Sequence, residues 1–280
     1  MRVSSRPLVF TDLDGTLLDH FSYSFAEAED LIQDLSSQRI PLIFCSSKTR
    51  AEIEPLRTDI NNKHPFVVEN GAAVFVPRDY FAIKPQGAVL RGKYWVKEFG
   101  KTRKHWLGVL QRHKSIYSEQ FRSFVDLGAQ GIADTCGLSI EQASLANQRE
   151  YTEPVFWLGS EAVRQAFTNS LIRSGAFVQQ GGRFLHLTGA GDKGVALLWL
   201  LEQYKRSEPN TAFHTIAMGD SQNDVSMLEV SDSAILIRSP VHDLPLLGRR
   251  SELYISDKPG PEGWRVTLQN TLKLLELRHG

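Results

Sequence analysis

The stretch Leu8-Val9-Phe10-Thr11-Asp12-Leu13-Asp14-Gly15-Thr16-Leu17-Leu18 sets an apolar run of strand formers directly against two carboxylates, a glycine and a threonine. Side chains alternate faces along a strand, so Asp12 and Asp14 share a face if the strand continues; a turn at Gly15 instead crowds both acids at the carboxyl edge of a sheet. Two carboxylates this close repel, and the pair is stable only with a cation between them or with one acid protonated. A hard cation such as Mg²⁺ suits them, because it takes oxygen ligands and commonly shares them with a phosphate.

Downstream, the spacing of Phe25, Ala28, Leu31, Ile32 and Leu35 predicts a helix over 24–37, and Pro41-Leu42-Ile43-Phe44-Cys45 a buried strand. That strand ends in Ser46-Ser47-Lys48-Thr49-Arg50, and a helix is expected over 49–60 with Ser46 available as its N-cap. Strand, helix, strand with hydroxyls at the second carboxyl edge is the layout of a parallel sheet, whose ligands bind at that edge. Phe66 to Val76 reads as two short strands about an Asn70-Gly71 turn.

The same grammar returns near the end. Lys193 stands at the start of an apolar helix over 195–204, where backbone donors already favour an anion and an ammonium adds positive charge. Thr215-Ile216-Ala217-Met218 is another buried strand, emptying into Gly219-Asp220-Ser221-Gln222-Asn223-Asp224. Asp220 and Asp224 lie four apart across a helix start, close enough to converge on one cation. Two more short strands and a closing helix over 261–277 are assigned to packing.

Between about Lys84 and Leu187 the even alternation is lost. A basic stretch from Lys101 to Lys114, a capped helix start at Ser139, a strand at 153–158, a helix over 161–173 capped by Ser160, and a hairpin about Gly181-Gly182 make a mixed α+β segment. The chain therefore divides into a parallel α/β core of residues 1–83 and 188–280 and an inserted α+β domain of residues 84–187, expected to act as a lid.

Composition excludes several classes. Of 280 residues 41% are hydrophobic and 23% charged, and 32 Lys and Arg balance 32 Asp and Glu, so no global field recruits nucleic acid or an anionic membrane. Cys45 and Cys136 are far apart and lack metal-ligand spacing, which suits a reducing compartment. With no apolar signal core behind Met1 and no membrane-length run, a cytoplasmic protein with a small-molecule ligand is expected. The oligomeric state is left open.

Asp12-Leu13-Asp14-Gly15-Thr16 resembles the first motif of the haloacid dehalogenase-like phosphatases, and Ser46, Lys193 and Gly219-Asp220 stand where that family places its second, third and fourth. The resemblance implies a Rossmann-like parallel-sheet core with an inserted α+β cap. It implies Asp12 as nucleophile, Asp14 as general acid/base, Ser46 and Lys193 holding phosphate oxygens, and Thr16 buttressing the first loop. Mg²⁺ would be held by Asp12, the Asp14 backbone carbonyl and Asp220, with Asp224 as a ligand or the support of one.

Leu42 to Arg50, Val68-Glu69-Asn70-Gly71-Ala72, Arg149 to Pro154 and Gly181 to Leu187 together resemble the mannosyl-3-phosphoglycerate phosphatases. That likeness implies a phosphorylated glycoside as substrate, mannosyl-3-phosphoglycerate, and mannosylglycerate, a compatible solute, as product. Its carboxylate needs a second cationic site, for which Arg183 is the expected fork; His186 and Gln180 are expected on sugar or glycerate hydroxyls, with Ser47 also at the substrate. One departure is Ile216-Ala217-Met218 where members carry further glycines. A phosphatase for glucosyl-3-phosphoglycerate or sucrose phosphate, and a non-catalytic sugar-phosphate binder, remain as alternatives.

Overall fold

The computed structural model describes residues 5–117, 119–181 and 183–279; Gly182, half of the expected hairpin glycine pair, lies outside them. Strand β1 (Arg6–Thr11) is central, and its last four residues are buried because both faces of the sheet are covered. Val9 packs on one side with Phe44, Ile216, Met218 and Trp264. Leu8 and Phe10 pack on the other with Ile43, Ala217, Leu197 and Leu200. Each such aliphatic side chain contributes about 1.5–3 kcal/mol by leaving water.

From β1 the chain runs through α1 (Glu29–Ser37), β2 (Leu42–Cys45), α2 (Arg50–Asp59), β3 (Phe66–Val68) and β4 (Ala73–Pro77) to the hairpin of β5 (Val89–Arg91) and β6 (Tyr94–Glu98). The next elements are α3 (Arg103–Tyr117), β7 (Phe121–Ser123), α4 (Phe124–Cys136), α5 (Ile140–Ala146), β8 (Glu153–Trp157), α6 (Glu161–Arg173), β9 (Phe177–Gly181) and β10 (Phe184–Thr188). The chain closes with α7 (Lys193–Ser207), β11 (Phe213–Gly219), α8 (Val225–Val230), β12 (Ser233–Arg238), β13 (Leu253–Pro259) and α9 (Gly260–His279).

Among the described residues, nine strands form one sheet in the order β13-β12-β11-β1-β2-β3-β4-β6-β5, and four form a second in the order β7-β8-β10-β9. Pairing is parallel from β13 to β3 and antiparallel from β3 to β5. The chain leaves β1 toward β2 and later returns as β11 on its other side, so the order reverses at β1. That is where an open α/β sheet forms its ligand crevice.

The second sheet is antiparallel throughout. Helices α3 and α6 cover one face through Trp106, Val109, Phe167 and Leu171, and α4 and α5 cover part of the other through Ile132, Ala133 and Ala143. The expected start of the insert at residue 84 is corrected here. Residues 89–98 belong to the larger sheet, where Ala73 to Pro77 pair with Glu98 to Tyr94. The free edge of β4 needs a partner for its N–H and C=O groups, and this hairpin supplies it. The two connections between the sheets cross at Gly100 and Gly189, so close that a Cβ on Gly189 would lie 2.7 Å from the Gly100 Cα.

Caps follow the sequence in part. Ser139 and Gln142 form the expected capping box on α5, whereas α2 is capped by Thr49 with Glu52 and not by Ser46. Ser160 holds the N-cap position of α6 without a side-chain bond. Cys45 is buried and Cys136 exposed, both as free thiols. No helix of the described residues is long and apolar enough to cross a membrane.

At the far end of the strands, His64 Nδ1 lies 2.7 Å from the Tyr80 hydroxyl, which lies 2.7 Å from that of Tyr204. Burial, reinforced by the charges of Arg57 and Arg6, pushes His64 down to about 4. The unfolded chain takes up this proton near pH 6.5 and the native chain only near 4, so the native state loses stability as pH falls through that window. The loss is on the order of 2–3 kcal/mol. Urea midpoints of the wild type are expected to fall more steeply from pH 6.5 to 4.5 than those of His64→Gln; parallel curves would contradict the assignment.

Candidate active site

Register brings these separate fragments of the sequence to one place. Thr11 pairs with Phe44 on one side and Met218 on the other, so Asp12, Ser46 and Asp220 leave the sheet from three neighbouring strands. Lys193, the first residue of α7, is fully buried and its Nζ lies 2.6 Å from both Asp12 Oδ1 and Asp224 Oδ1. The N-cap of that helix is Asp192, whose carboxylate accepts from the Val195 amide.

Asp224 has both oxygens engaged. Oδ1 accepts from Lys193, while Oδ2 accepts from the Asp220 and Ser221 amides at 3.1 and 3.0 Å. It therefore shapes the loop that presents Asp220. Thr16 donates to Asp220 Oδ1 at 3.4 Å, and His242 Nε2 lies 3.2 Å from Asp220 Oδ2. Asp12 is supported from below: the Trp264 indole N–H donates to Thr11 Oγ1 at 3.0 Å, and that hydroxyl donates to the Asp12 carbonyl.

Electrostatics follow from burial. Lys193 is pulled down by desolvation but more than restored by Asp12 and Asp224, so its ammonium holds its proton. Asp12 stands well above the usual carboxylate range, chiefly from burial and then from the charges of Asp224 and Asp220, which the opposing charge of Lys193 does not overcome. Asp220 is raised by the same causes, burial first and Asp224 next. Carboxylate oxygens of Asp12, Asp220 and Asp224 all lie within 4.8 Å of one another. An oxygen-only donor set with more negative charge than Lys193 balances fits a hard divalent cation, which would lower both raised carboxyls.

Asp14 leaves the acid cluster and points to the rim, where its Oδ1 lies 3.0 Å from Lys48 Nζ. Desolvation pulls Lys48 down, but Asp14 and Glu52 hold it above its ordinary value. The Ser46 hydroxyl accepts from the Lys48 amide, and the Ser47 carbonyl accepts from Arg149.

Between these loops and the uncovered part of the smaller sheet lies a cleft of about 350 Å³ lined by Ser47, Asn70, Gln179, Gln180, His186 and Ser221 to Asn223. Of the residues expected to read a substrate, Ser47, Gln180 and His186 line this cleft and Arg183 does not. Gln179 is the register partner of His186, whereas Gln180 pairs with Leu185, a side chain buried under α3 and α6. The Gln180 side-chain Oε1 accepts from Arg164 of α6, and the residue still lines the cleft, as expected. Arg183 is exposed, donates to the Thr135 carbonyl at the end of α4, and is not among the residues lining the cleft.

Sequence reasoning had no signal for His242, which is 22 residues from Asp220, or for Asn223, whose amide donates to Asn70 Oδ1 at 3.0 Å. The Gly71 approach was equally hidden. Gly71 sits at φ +91°, and a Cβ there would lie 2.1 Å from the Asp192 carbonyl, so only glycine lets this turn abut the start of α7.

A family model described as haloacid dehalogenase-like hydrolase matches residues 9–85 and 158–240. A glucosyl-3-phosphoglycerate/mannosyl-3-phosphoglycerate phosphatase of Methanococcoides burtonii is 38% identical over 268 residues, 95% of this chain and 97% of that one. A mannosyl-3-phosphoglycerate phosphatase of Pyrococcus furiosus is 35% identical over 237 residues, 84% of this chain and 93% of that one. In fold the chain is similar to the sucrose-phosphatase of Synechocystis, solved with sucrose and phosphate, at a TM-score of 0.57 and 15% identity over 97% of this chain and 98% of that one. That likeness speaks to fold alone.

Proposed function

Since the chain belongs to the haloacid dehalogenase-like hydrolases, and among them to the mannosyl-3-phosphoglycerate phosphatases, we propose that it hydrolyses mannosyl-3-phosphoglycerate to mannosylglycerate and phosphate. The observation that carries this reading is the 38% identity running over 95% of the chain, the inserted α+β segment included. Catalytic loops alone serve many esters; the segment above them is what a particular glycoside has to fit.

The assembly supports a two-step phosphoryl transfer. The Asp12 carboxylate attacks phosphorus, an O–P bond forms as the ester P–O bond breaks, and Asp14 gives its proton to the departing alkoxide. Asp14 then takes a proton from the water that attacks the aspartyl phosphate, releasing phosphate and restoring Asp12. The Lys193 ammonium and the Ser46 hydroxyl hold phosphoryl oxygens, and Thr16 with His242 orients Asp220. Mg²⁺, held by Asp12, Asp220 and the Asp14 main-chain carbonyl with Asp224 bracing the set, would neutralise charge on the phosphoryl group. Because Asp12 must be ionised to attack, its raised pKa makes this requirement for a cation physical.

Gln179, His186, Asn70 and Asn223 offer amide and imidazole partners suited to sugar and glycerate hydroxyls in the cleft above. The segment from α3 to β10 acts as the lid that excludes water until the ester is bound. A second reading, glucosyl-3-phosphoglycerate as an equal substrate, is favoured by the double name of the Methanococcoides relative. Initial rates of phosphate release with Mg²⁺ decide. The mannosyl ester is expected to exceed sucrose 6-phosphate and 3-phosphoglycerate by about 100-fold in kcat/KM, with the glucosyl ester placing the second reading; equal rates on all four would overturn the substrate assignment.

A further inference from the structure

Two segments that no step of phosphate hydrolysis uses, Val68 to Ala72 and Arg149 to Thr152, prove to be halves of one device. Glu69 begins the turn between β3 and β4, and its carboxylate is almost wholly buried. Oε1 accepts from the Glu150 amide at 2.7 Å; Oε2 accepts from the Thr152 amide at 2.8 Å and hydroxyl at 2.6 Å; the Tyr151 amide lies 3.3 Å from both. Arg149 Nε stands 3.4 Å from Oε2 and donates to Thr152 Oγ1 at 2.7 Å. One side chain thus gathers three consecutive amides, a hydroxyl and a cation from the connection between α5 and β8.

The same turn grips the catalytic loops by its backbone. The Glu69 amide donates to the Lys48 carbonyl and the Asn70 amide to the Ser46 carbonyl, while the other end of Arg149 donates to the Ser47 carbonyl. Glu69 adopts φ +50° and Asn70 φ +59° to do so, a left-handed conformation that is costly for a residue such as glutamate and persists only where its surroundings impose it. The covalent links between the sheets cross at Gly100 and Gly189, whose backbones approach too closely for a side chain at either. Glu69, through the connection between α5 and β8, ties the smaller sheet to the loop of Ser46, Ser47 and Lys48.

We propose that Glu69 is a positioning residue for substrate specificity: its clasp on residues 149–152 sets the height and angle of the His186 and Gln179 face above Asp12. The inference rests on the reading of this chain as a glycoside phosphatase. An ester whose alcohol reaches into the cleft depends on that setting, and one too small to reach it does not.

The test compares kcat and KM of wild type, Glu69→Gln and Arg149→Met on p-nitrophenyl phosphate and on whichever of mannosyl-3-phosphoglycerate, glucosyl-3-phosphoglycerate and sucrose 6-phosphate the wild type prefers. In Glu69→Gln an amide N–H meets the backbone donors, and kcat/KM for the large ester is expected to fall about 100-fold, with KM carrying most of the change. The rate on p-nitrophenyl phosphate should stay within about threefold. Arg149→Met, which leaves the carboxylate and its amide partners in place, should fall in the same direction by less. Equal losses on both esters, or none on either, would overturn the proposal. A wild type inactive on all three large esters would refute the proposed function instead, and amide exchange of residues 150–152 then decides the clasp. At least tenfold faster exchange in Glu69→Gln supports it, by about the free energy of one charged hydrogen bond, and unchanged exchange overturns it.

Discussion

Asp12→Asn is expected to lower turnover by at least about 10⁴-fold while the protein stays folded. The asparagine keeps the shape of the aspartate, so the close contact with Lys193 Nζ is retained through the amide carbonyl. The Trp264 and Thr11 bonds that hold the backbone at this position do not involve the side chain. What is lost is the anionic oxygen that bonds to phosphorus. Phosphate release in the presence of Mg²⁺, read beside the thermal melt, checks this. A variant that keeps its fold and its rate would place the nucleophile elsewhere.

Lys193→Met is expected to damage both catalysis and stability. The ammonium is fully buried between Asp12 and Asp224, and its removal leaves three carboxylates whose oxygens lie within 4.8 Å without their shared counter-charge. Losing one partner of a buried charged set costs about 3–5 kcal/mol, and losing a donor to the transferring phosphoryl oxygens about 10²–10³ in kcat. The pH dependence separates this from a packing defect. Without Lys193 the carboxyls of Asp12 and Asp220, already raised and each held down in part by its charge, rise further, and a carboxyl raised in the native state contributes stability at low pH that is lost as pH rises through its native pKa. Measured in urea with EDTA, the deficit of the variant should therefore narrow from pH 7 to 5.5. A deficit constant over that range would argue that only shape was lost.

The candidate site was legible because its residues sit where strand signals stop. Asp12, Ser46 and Asp220 each follow a buried apolar run and Lys193 opens an apolar helix, so the strand pattern marked the sheet edge, and the resemblance to the phosphatase motifs supplied their grouping. Long-range pairing left no such trace. The β5–β6 hairpin resembles any surface hairpin until β4 claims it, so the boundary expected at residue 84 fell short by some fifteen residues.

Specificity residues were hardest because one residue of register decides a face. Gln179 and Gln180 are equivalent in composition, yet only the former shares a face with His186. Arg183 carried the charge a glycerate carboxylate wants, but the nearest carbonyl, that of Thr135, takes its guanidinium. Nothing in the sequence around Glu69 gives it a role, since the amides it gathers lie more than 80 residues away.

The proposed mechanism requires a covalent bond between Asp12 and phosphorus. Asp14→Asn, mixed with p-nitrophenyl phosphate and Mg²⁺ and quenched in acid, meets an ester whose leaving group needs no proton, so the first step proceeds while the second lacks its base. Peptide mass mapping should then find a phosphoryl group on Asp12 in most of the protein, and none in the Asp12→Asn, Asp14→Asn double variant. Phosphate released with no phosphoryl group on residue 12, or a phosphoryl group on another side chain, would contradict the mechanism.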